Sequence, residues 1–285
     1  MRTDLRLRLW LSIIFLMFGQ VAAGATGISA LDRIRQHGTI TVAMFAEDVP
    51  PFFYEDERGD LVGIDPSLAR DIAAKLGVDL VYNRVARTFD DVIEEVAAGR
   101  ADIAISLLSD TLERAMRVSF SRSYVSVRQF MLINRLELAR IISARRTVDG
   151  ASMPALLNSP SARIGVIGGT SYVGFLKEDF PEATAVEFDD WSTMLGAIKS
   201  GQIVALMYDE IEIGNWRLED SAGSLELRPL QLVGHPDTIA IALGRNDPDL
   251  KIWIDLYLSK IEGSGFLRSI LDTYLYSTDR MLAND

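Results

Sequence analysis

The segments TITVAM at positions 39–44, DPSLARDIAAKLG at 65–77 and VDLVYNRV at 78–85 decide the fold class. The first and last are rich in β-branched residues and predict strands, whereas the middle segment has the apolar spacing of a helix. We expect Asp65 to cap that helix and Gly77 to lie just beyond its end. A strand, a helix and a strand at this spacing predict parallel pairing in an open, doubly wound α/β sheet.

The same alternation continues along the chain. A helix is predicted at 90–98, and buried strands are predicted at 101–107 and 129–134. After a polar stretch around 143–161, a second cycle begins with a strand at 163–167. Two such cycles predict an α/β protein with two lobes.

The lobe boundaries follow from this break. We predict a first lobe formed by residues 26–134 and 237–285, and a second lobe formed by residues 135–236. Two hinge strands would join the lobes. Clefts between domains are preferred ligand sites, so we expect a central cleft to hold the functional residues.

Amino-acid composition and net charge exclude several classes of function. The chain has 285 residues, a formal net charge of −11 and 48% hydrophobic residues, which suits a large folded core rather than a disordered segment. The acidic balance argues against a nucleic-acid partner. The absence of cysteine excludes thiolate chemistry and disulfides, and the only histidines are His37 and His235. We therefore expect no metal and no cofactor.

The N-terminus has the pattern of an export signal. Three arginines among the first eight residues precede the apolar run LWLSIIFLMF at 9–18, and small residues follow. This order predicts a secretory signal peptide over residues 1–25, cleaved near Ala23 or Ala25, and a periplasmic protein. The alternative is an uncleaved membrane anchor, because the apolar run is only slightly short for a membrane span.

The segment SLLSDTLER at 106–114 is the first candidate binding element. It follows a predicted strand, and it brings the Ser109 hydroxyl and the Arg114 guanidinium to the start of a short helix. Arginine pairs well with a carboxylate, and a helix N-terminus favours an anion. The alternative is ordinary capping, in which Asp110 and Glu113 form a capping box and Arg114 is a solvated charge.

Two further candidates lie in the second cycle. Thr170 and Ser171 follow two glycines at the start of a helix, where free N–H groups can bind an anion, although a plain tight turn is equally compatible. Asp209 follows a predicted strand, where its carboxylate can receive an ammonium group. It can also serve as a helix cap, paired with Glu212.

Aromatic residues supply candidate walls. Phe52 follows two prolines, and Phe89 opens a predicted helix. Rings in a cleft can stack on a ligand or cover a cation, but rings at such junctions are more often core residues.

Taken together, the ordered motifs resemble the bacterial family-3 extracellular solute-binding proteins, the periplasmic amino-acid receptors of ABC importers. The resemblance covers roughly residues 30–275. Its pieces are the opening helix at 31–38, P-P-F followed by G-x-L-x-G-x-D at 50–65, G-R-A-D at 99–102, S-x-T-x-x-R at 109–114, F-S-x-x-Y at 120–124, I-G-V with G-T at 164–170, and Ala205 with Asp209.

The resemblance implies a two-lobe periplasmic-binding-protein fold of type II and a role for each candidate. Arg114 would bind the α-carboxylate of an amino acid, helped by backbone N–H groups near Leu107, Ser109 and Ser171. Asp209 would bind the α-ammonium group together with the Ser109 hydroxyl, and Phe89 would be an aromatic wall. The partner would be an ABC permease in the inner membrane, and the receptor would act as a monomer without catalysis.

Two departures from the family pattern bear on specificity. Val49 stands where an aromatic residue usually precedes P-P-F, and Leu107 stands where some members carry serine. Glu47 and Asp48, near the expected cleft mouth, would favour a cationic side chain.

Two alternative functions remain open from the sequence. The chain also resembles periplasmic cyclohexadienyl dehydratases, which share the opening helix and the S-x-T-x-x-R region. An uncleaved N-terminus would instead make the protein a sensor ectodomain.

Overall fold

The computed structural model describes residues 28–144, 152–220, 223–234 and 236–275. The predicted signal peptide lies outside the described residues. The strands are β1 (Thr39–Phe45), β2 (Tyr54–Glu55), β3 (Leu61–Val62), β4 (Asp79–Ala86), β5 (Ile103–Ala104), β6 (Ser119–Val127), β7 (Gln129–Asn134), β8 (Arg163–Ile167), β9 (Thr184–Phe188), β10 (Ala205–Asp209), β11 (Leu227–Gln231) and β12 (Asp237–Leu243).

The helices alternate with these strands, as predicted. They are α1 (Ala30–His37), α2 (Ile64–Leu76), α3 (Phe89–Ala97), α4 (Leu112–Ala115), α5 (Arg135–Ala144), α6 (Met153–Leu157), α7 (Tyr172–Asp179), α8 (Trp191–Lys199), α9 (Glu210–Glu219), α10 (Pro248–Gly263) and α11 (Phe266–Tyr274). Within the described ranges, no helix is both long and apolar enough to cross a membrane.

The first sheet has the strand order β4-β1-β5-β12-β6. Strand β1 pairs in parallel with β4 and β5, as the βαβ pattern predicts, but β12 pairs antiparallel with β5 and β6. Parallel pairing thus holds for β4, β1 and β5, whereas β12 adds antiparallel pairs at the other edge. Strand β6 leads out of this sheet to β7 of the second sheet and β12 leads back from β11, so the two run in opposite directions.

The second sheet has the order β11-β7-β10-β8-β9. We call the part of the chain around the first sheet the first lobe, and the part around the second sheet the second lobe. The predicted boundary placed β7 in the first lobe, but its residues pair with β10 and β11. The chain thus changes lobe at Arg128, between β6 and β7, because β7 completes its hydrogen bonding only inside the second sheet.

Separate apolar clusters stabilise the two lobes. In the first lobe, Ile40, Val42 and Ile72 are completely buried between β1 and α2. In the second lobe, Met131 and Val166 are completely buried on the sheet. Each lobe buries both faces of its sheet under helices, as expected for an α/β arrangement.

Two predicted helix starts differ from the structure. Helix α2 begins two residues earlier than predicted, with Gly63 as its N-cap at φ 123°, so Asp65 is a buried residue of the first turn and not the cap. A Cβ at Gly63 would lie 2.3 Å from the Phe52 carbonyl oxygen, which explains why glycine precedes this helix. Helix α4 is capped by Thr111, whose hydroxyl accepts from the Arg114 N–H, and not by Asp110.

The predicted strand at 101–107 is shorter in the structure. Only Ile103 and Ala104 form β5, and the chain then bends away from the sheet toward the second lobe. This departure creates the loop at 105–111, which carries Leu107 and Ser109 into the space between the lobes.

Candidate functional site

The cleft lies where ends of strands and helices from both lobes meet. The first lobe supplies the loop at 105–111, the start of α3, helix α4 and the start of β12. The second lobe supplies the start of α7 and the junction of β10 with α9. Within the described residues these elements line a small inner cavity and a larger outer cavity, which share Phe89, Leu107, Thr170, Tyr208 and Asp209.

All eight sequence-predicted site residues line these cavities. The inner cavity is lined by Arg114, Asp209, Ser109, Leu107, Thr170, Ser171 and Phe89, and Phe52 lines the outer cavity. The structure thus brings together residues that are far apart in the chain. Their roles toward a ligand remain predictions.

Two hydrogen bonds between described residues join the lobes across the cleft. The hydroxyls of Ser109 and Ser171 are 2.8 Å apart, and the Asp90 N–H donates to the Gly169 carbonyl oxygen at 3.1 Å. Gly169 has φ 70°, and a Cβ there would lie 2.6 Å from the Cβ of Thr88. Glycine is therefore required for the close approach of the lobes at this point.

Arg114 is oriented by a partner that the sequence did not reveal. Its side chain is buried, and its Nε and Nη2 donate to Asp90 Oδ1 at 3.1 and 2.9 Å. Its Nη1 donates to the Ser109 carbonyl oxygen at 3.3 Å. A guanidinium has five N–H donors, so these three bonds leave two for a carboxylate. Asp90 was not predicted because it contacts Arg114 only in the folded protein.

The start of α7 offers further donors to an anion. Ser171 is the N-cap residue, yet its side chain accepts no hydrogen bond from the helix because it is bonded to Ser109. The Thr170 hydroxyl is also committed, since it donates to the Ile167 carbonyl oxygen at 2.7 Å. No side chain thus caps α7. The Val173 and Gly174 N–H groups bond the Thr170 and Ser171 carbonyl oxygens, so the N–H groups of Ser171 and Tyr172 are the donors that this helix start can offer to an anionic group.

The position of Asp209 is compatible with both roles that the sequence left open, a helix cap and a carboxylate for an ammonium group. It ends β10, is only 6% exposed, and its Oδ1 accepts from the N–H groups of Ile211 and Glu212, each at 2.8 Å. Burial raises the pKa of the Asp209 carboxyl to about 6, although the two backbone N–H groups act in the opposite direction. A bound cation would stabilise the charged form of a carboxylate buried in this way.

A second buried acid stands beside Asp209 and was missed by the sequence analysis. Asp237, at the start of β12, is 4% exposed, and its Oδ2 accepts from the Ser109 hydroxyl at 3.0 Å. Burial, and then the charge of Asp209, raise the pKa of the Asp237 carboxyl to about 7. The Ser109 hydroxyl therefore bonds Asp237. Its predicted contact with the ligand's ammonium group, together with Asp209, remains a prediction.

Leu107 does not offer its backbone N–H to a ligand, contrary to the expectation. That N–H donates to Asp65 Oδ2 at 2.8 Å, and the Tyr124 hydroxyl donates to Asp65 Oδ1 at 2.7 Å. Leu107 has φ 48°, the one positive φ among the described non-glycine residues. Asp65 holds this uncommon conformation in place, while burial raises the pKa of its carboxyl to about 7.

Aromatic rings from both lobes flank the cleft. Phe89 stacks on Phe45 in the first lobe with ring centroids 4.9 Å apart. In the second lobe, Tyr208 stacks on Tyr172 at 5.0 Å and lies 5.6 Å from Trp191. Phe52 is completely buried in the first-lobe core, so it forms part of the cavity wall more than a free stacking surface.

The outer cavity is strongly anionic. It has a volume of about 190 Å³, and among the described lining residues Arg87 is the one cation. Six acidic residues line it: Glu47, Asp48, Asp189, Asp190, Asp209 and Glu212. Of these, Asp48 pairs with Arg84 at 2.9 Å. Burial and the charges of Asp209 and Glu219 raise the pKa of Glu212 to about 7. The sequence analysis identified Glu47 and Asp48 but missed the pair at 189–190, which adjoins the cleft only through the fold.

Two α/β lobes with a polar cleft between them are the architecture of a solute-binding protein. The chain belongs to the bacterial extracellular solute-binding proteins, family 3, whose family model matches residues 40–277. The predicted type II periplasmic-binding-protein fold is confirmed by this match and by solved structures.

Individual relatives differ in what they do. The chain is 29% identical to a cyclohexadienyl dehydratase of Pseudomonas aeruginosa over 87% of this chain and 86% of that protein. It is 23% identical to the lysine/arginine/ornithine-binding periplasmic protein of Escherichia coli over 71% of both chains. A crystal structure of the amino acid ABC transporter substrate-binding protein AbpA from Streptococcus pneumoniae, bound to L-arginine, aligns with a TM-score of 0.66 and 25% identity, covering 85% of this chain and 96% of that one.

Proposed function

We propose that the protein binds an α-amino acid with a cationic side chain in the cleft between its lobes and delivers it to an ABC permease, without catalysis. The observation that carries the proposal is the charge of the outer cavity, with six lining carboxylates and one lining cation among the described residues. In such a cavity an anionic or neutral ligand would leave the carboxylates without compensation, whereas a cation would stabilise their charged forms.

The inner groups suit the two charges of an amino acid. Arg114 keeps two N–H donors after its bonds to Asp90 and Ser109, and the start of α7 adds backbone N–H groups for the same carboxylate. Asp209 would bind the α-ammonium group from the second lobe. Because Arg114 and Asp209 belong to different lobes, a zwitterion would link the lobes and favour the closed cleft.

The side chain would extend into the outer cavity. There the rings of Phe89 and Tyr208 flank the path, and an aromatic face attracts a cation. The carboxylates of Asp189, Asp190 and Glu212 would neutralise its charge. The names of relatives support this class: one binds lysine, arginine and ornithine, and another was crystallised with L-arginine.

A dehydratase is the second candidate, favoured by the similarity to cyclohexadienyl dehydratase. Its substrate class, exemplified by prephenate, carries two carboxylates. Such a dianion would meet the six carboxylates of the outer cavity, where Arg87 is the one lining cation among described residues. Like charges close together in a partly buried cavity cost several kcal/mol. The charge distribution therefore favours binding of a cation over this reaction.

The proposed function also involves export of the protein and closure of its lobes. Residues 1–25 would be a signal peptide cleaved near Ala23 or Ala25, and the exported protein would act as a monomer in the periplasm. The lobes would close by hinge motion at the two crossings, near Arg128 and between β11 and β12. N-terminal sequencing of the exported protein tests the cleavage, since an intact N-terminus would favour the sensor alternative.

The proposed function is tested by a ligand screen on the exported protein. L-arginine, L-lysine, L-ornithine, L-glutamine, L-glutamate and prephenate are compared by thermal shift and calorimetry. A ligand present at 100 times its Kd stabilises the fold by about 2.7 kcal/mol, which is easily measured. We expect stabilisation by the cationic amino acids.

Variants show whether binding uses the cleft. Arg114→Ala removes the partner of the α-carboxylate and is expected to weaken binding by about 2–4 kcal/mol. The matched control is Arg122→Ala, which removes an exposed arginine of β6 that pairs with Glu262 and lines none of the cavities at the cleft. Stabilisation by glutamate or prephenate alone, or turnover of prephenate, would contradict the proposal.

A further inference from the structure

We propose that Asp237 is a second carboxylate for the ligand's amino group, so that this group is held between Asp209 of the second lobe and Asp237 at the start of β12, with the Tyr172 hydroxyl as a third partner. The inference rests on the proposed function, because it assigns the residues that would recognise the α-amino group of the bound amino acid.

The first observation is that Asp237 has an uncommitted buried oxygen. Its Oδ2 accepts from the Ser109 hydroxyl, whereas its Oδ1 is buried without a hydrogen-bond partner among the described residues. An unsatisfied buried carboxylate oxygen is costly, and native proteins retain such a group chiefly where another molecule satisfies it.

The second observation is an unpartnered hydroxyl in the same place. Tyr172 is 5% exposed, and its hydroxyl has no hydrogen-bond partner in the described parts of the chain. Burial, followed by the charges of Asp209 and Asp237, raises the pKa of this hydroxyl well above its ordinary value. It therefore stays neutral and can accept a hydrogen bond from an ammonium group.

The third observation is the size and lining of the inner cavity. Its volume is about 20 Å³, and Asp209, Asp237 and Tyr172 all line it. A cavity of roughly 10–15 Å³ holds one water molecule. The inner cavity therefore suits one small polar group such as an ammonium. The rest of the ligand would occupy the outer cavity or the space of about 910 Å³ that also borders Ser109, Arg114 and Asp237.

The charges around this cavity select a cation. Arg114 also lines the cavity, but its charge is offset by the carboxylate of Asp90. Asp110 lies close enough to Asp237 to raise the pKa of its carboxyl further. With Asp209 and Asp237 both at the cavity, the local balance is negative. An ammonium group with three N–H donors would match Asp209, Asp237 Oδ1 and the Tyr172 hydroxyl.

The test compares Asp237→Asn with the wild-type protein on two ligands. The probes are the tightest-binding of L-arginine, L-lysine and L-ornithine, and its analogue in which a hydroxyl replaces the α-amino group. Calorimetry is expected to show a loss of roughly 10- to 100-fold in affinity for the amino acid, and a much smaller change for the hydroxy analogue. Asp249→Asn is the matched control, because Asp249 is an exposed aspartate of α10 that lines none of the cavities at the cleft.

A purely structural role predicts a different pattern. If Asp237 only supported Ser109, both ligands would lose affinity equally in Asp237→Asn, and the inference would be wrong. We also expect the ligand-free Asp237→Asn protein to be at least as stable as wild type at pH 8, since the variant removes a buried charge. Tyr172→Phe serves as a second variant should Asp237→Asn fail to fold, with an expected loss of roughly 3- to 10-fold for the amino acid alone.

The two proposals fail in distinguishable ways. If the wild-type protein binds none of the three cationic amino acids, the proposed function is wrong and the assignment of Asp237 falls with it. If the wild type binds one of them and both Asp237→Asn and Tyr172→Phe bind it equally well, only the assignment of Asp237 is overturned.

Discussion

Asp209 combines a structural and a binding role in one side chain. Its Oδ1 caps α9 through two N–H groups, and its carboxylate lines both cavities. Capping depends on an acceptor oxygen, whereas binding of an ammonium group depends on negative charge. The two roles can therefore be separated by choosing variants that keep one and remove the other.

Asp209→Asn and Asp209→Ala separate these roles. Asparagine caps helices about as well as aspartate, so Asp209→Asn is expected to keep the free energy of unfolding of the wild type. Because the negative charge is lost, its affinity for a cationic amino acid is expected to fall by at least tenfold, or about 1.4 kcal/mol. Asp209→Ala should lose the same affinity and also about 1 kcal/mol of stability. Denaturant unfolding and calorimetry measure both. Equal affinity of wild type and Asp209→Asn would contradict the binding role.

At the scale of elements, Asp65 connects the first turn of α2 to the loop that follows β5. Its two oxygens accept from the Tyr124 hydroxyl and the Leu107 N–H, which fixes Leu107 at positive φ beside the cleft. Asparagine can replace both bonds, since its amide oxygen accepts from Leu107 and its NH₂ donates to the Tyr124 oxygen. Only the buried charge is then lost.

Asp65→Asn is expected to change how stability depends on pH. Burial raises the Asp65 pKa from 3.8 to about 7 in the folded protein, so the folded state holds a proton that the unfolded state has lost between these values. The stability that this proton contributes is complete below pH 3.8 and is lost as the pH rises through about 7. Relative to wild type, Asp65→Asn should therefore gain stability between pH 4 and pH 8.

The measurement is urea unfolding across this pH range. Glu57→Gln is the control, because it removes one carboxylate from an exposed position between β2 and β3. The same pH slope in wild type and Asp65→Asn would show that Asp65 does not hold this proton.

The contact between the start of α7 and the first lobe is a second feature at the scale of elements. Gly169→Ala would place a Cβ 2.6 Å from Thr88 of the first lobe, at φ 70°. The clash occurs only while the lobes are together, so we expect weaker ligand binding than in wild type. Gly174→Ala, in the helix α7 that follows this turn, is the control, since nothing lies within 4 Å of its Cβ position.

Two quantities are measured for each variant: its affinity for the ligand, and its free energy of unfolding without ligand. The positive φ at Gly169 makes Gly169→Ala less stable by about 1 kcal/mol whether or not ligand is bound. A fall in affinity beyond that measured for Gly174→Ala is the expected result. Unchanged affinity in Gly169→Ala would mean that the bound form does not need this approach of the two lobes.

At the scale of the whole molecule, ligand binding and proton binding are coupled. The pKa values of Asp209, Glu212 and Asp237 are raised to about 6, 7 and 7. The groups facing them include Glu210 and Glu219, the Tyr172 hydroxyl, Asp110 and Arg114. A bound cation favours the charged carboxylates, so it lowers these pKa values and releases protons.

We therefore expect a cationic amino acid to bind more tightly as the pH rises from 5 to 8. Calorimetry in buffers with different ionisation enthalpies measures the released protons directly, and Asp209→Asn should reduce their number. Affinity that is constant across this pH range, with no proton release, would contradict the coupling.

The sequence by itself determined the class of fold, the alternation of its elements and most of the cleft residues. This was possible because helix periodicity, β-branched runs and capping are local properties, and because carboxyl ends of parallel strands meet at one edge. Ser109, Arg114, Ser171 and Asp209 each lie at such an end or at a helix start, and the structure places all four in one cavity.

Only the tertiary structure decided which groups these residues face. Asp237 lies 128 positions from Ser109, and Asp65 lies 42 positions from Leu107, so no local pattern connects either pair. Asp65 reads in the sequence as a helix cap, and Asp237 as the polar start of a strand. Strand β7 likewise joins the second sheet because its hydrogen-bond partners, β10 and β11, lie there. These partners are distant in the sequence, so the local hydrophobic pattern of β7 does not reveal them. The raised pKa values of the buried acids arise only in the folded protein, because packing removes their carboxyl groups from water.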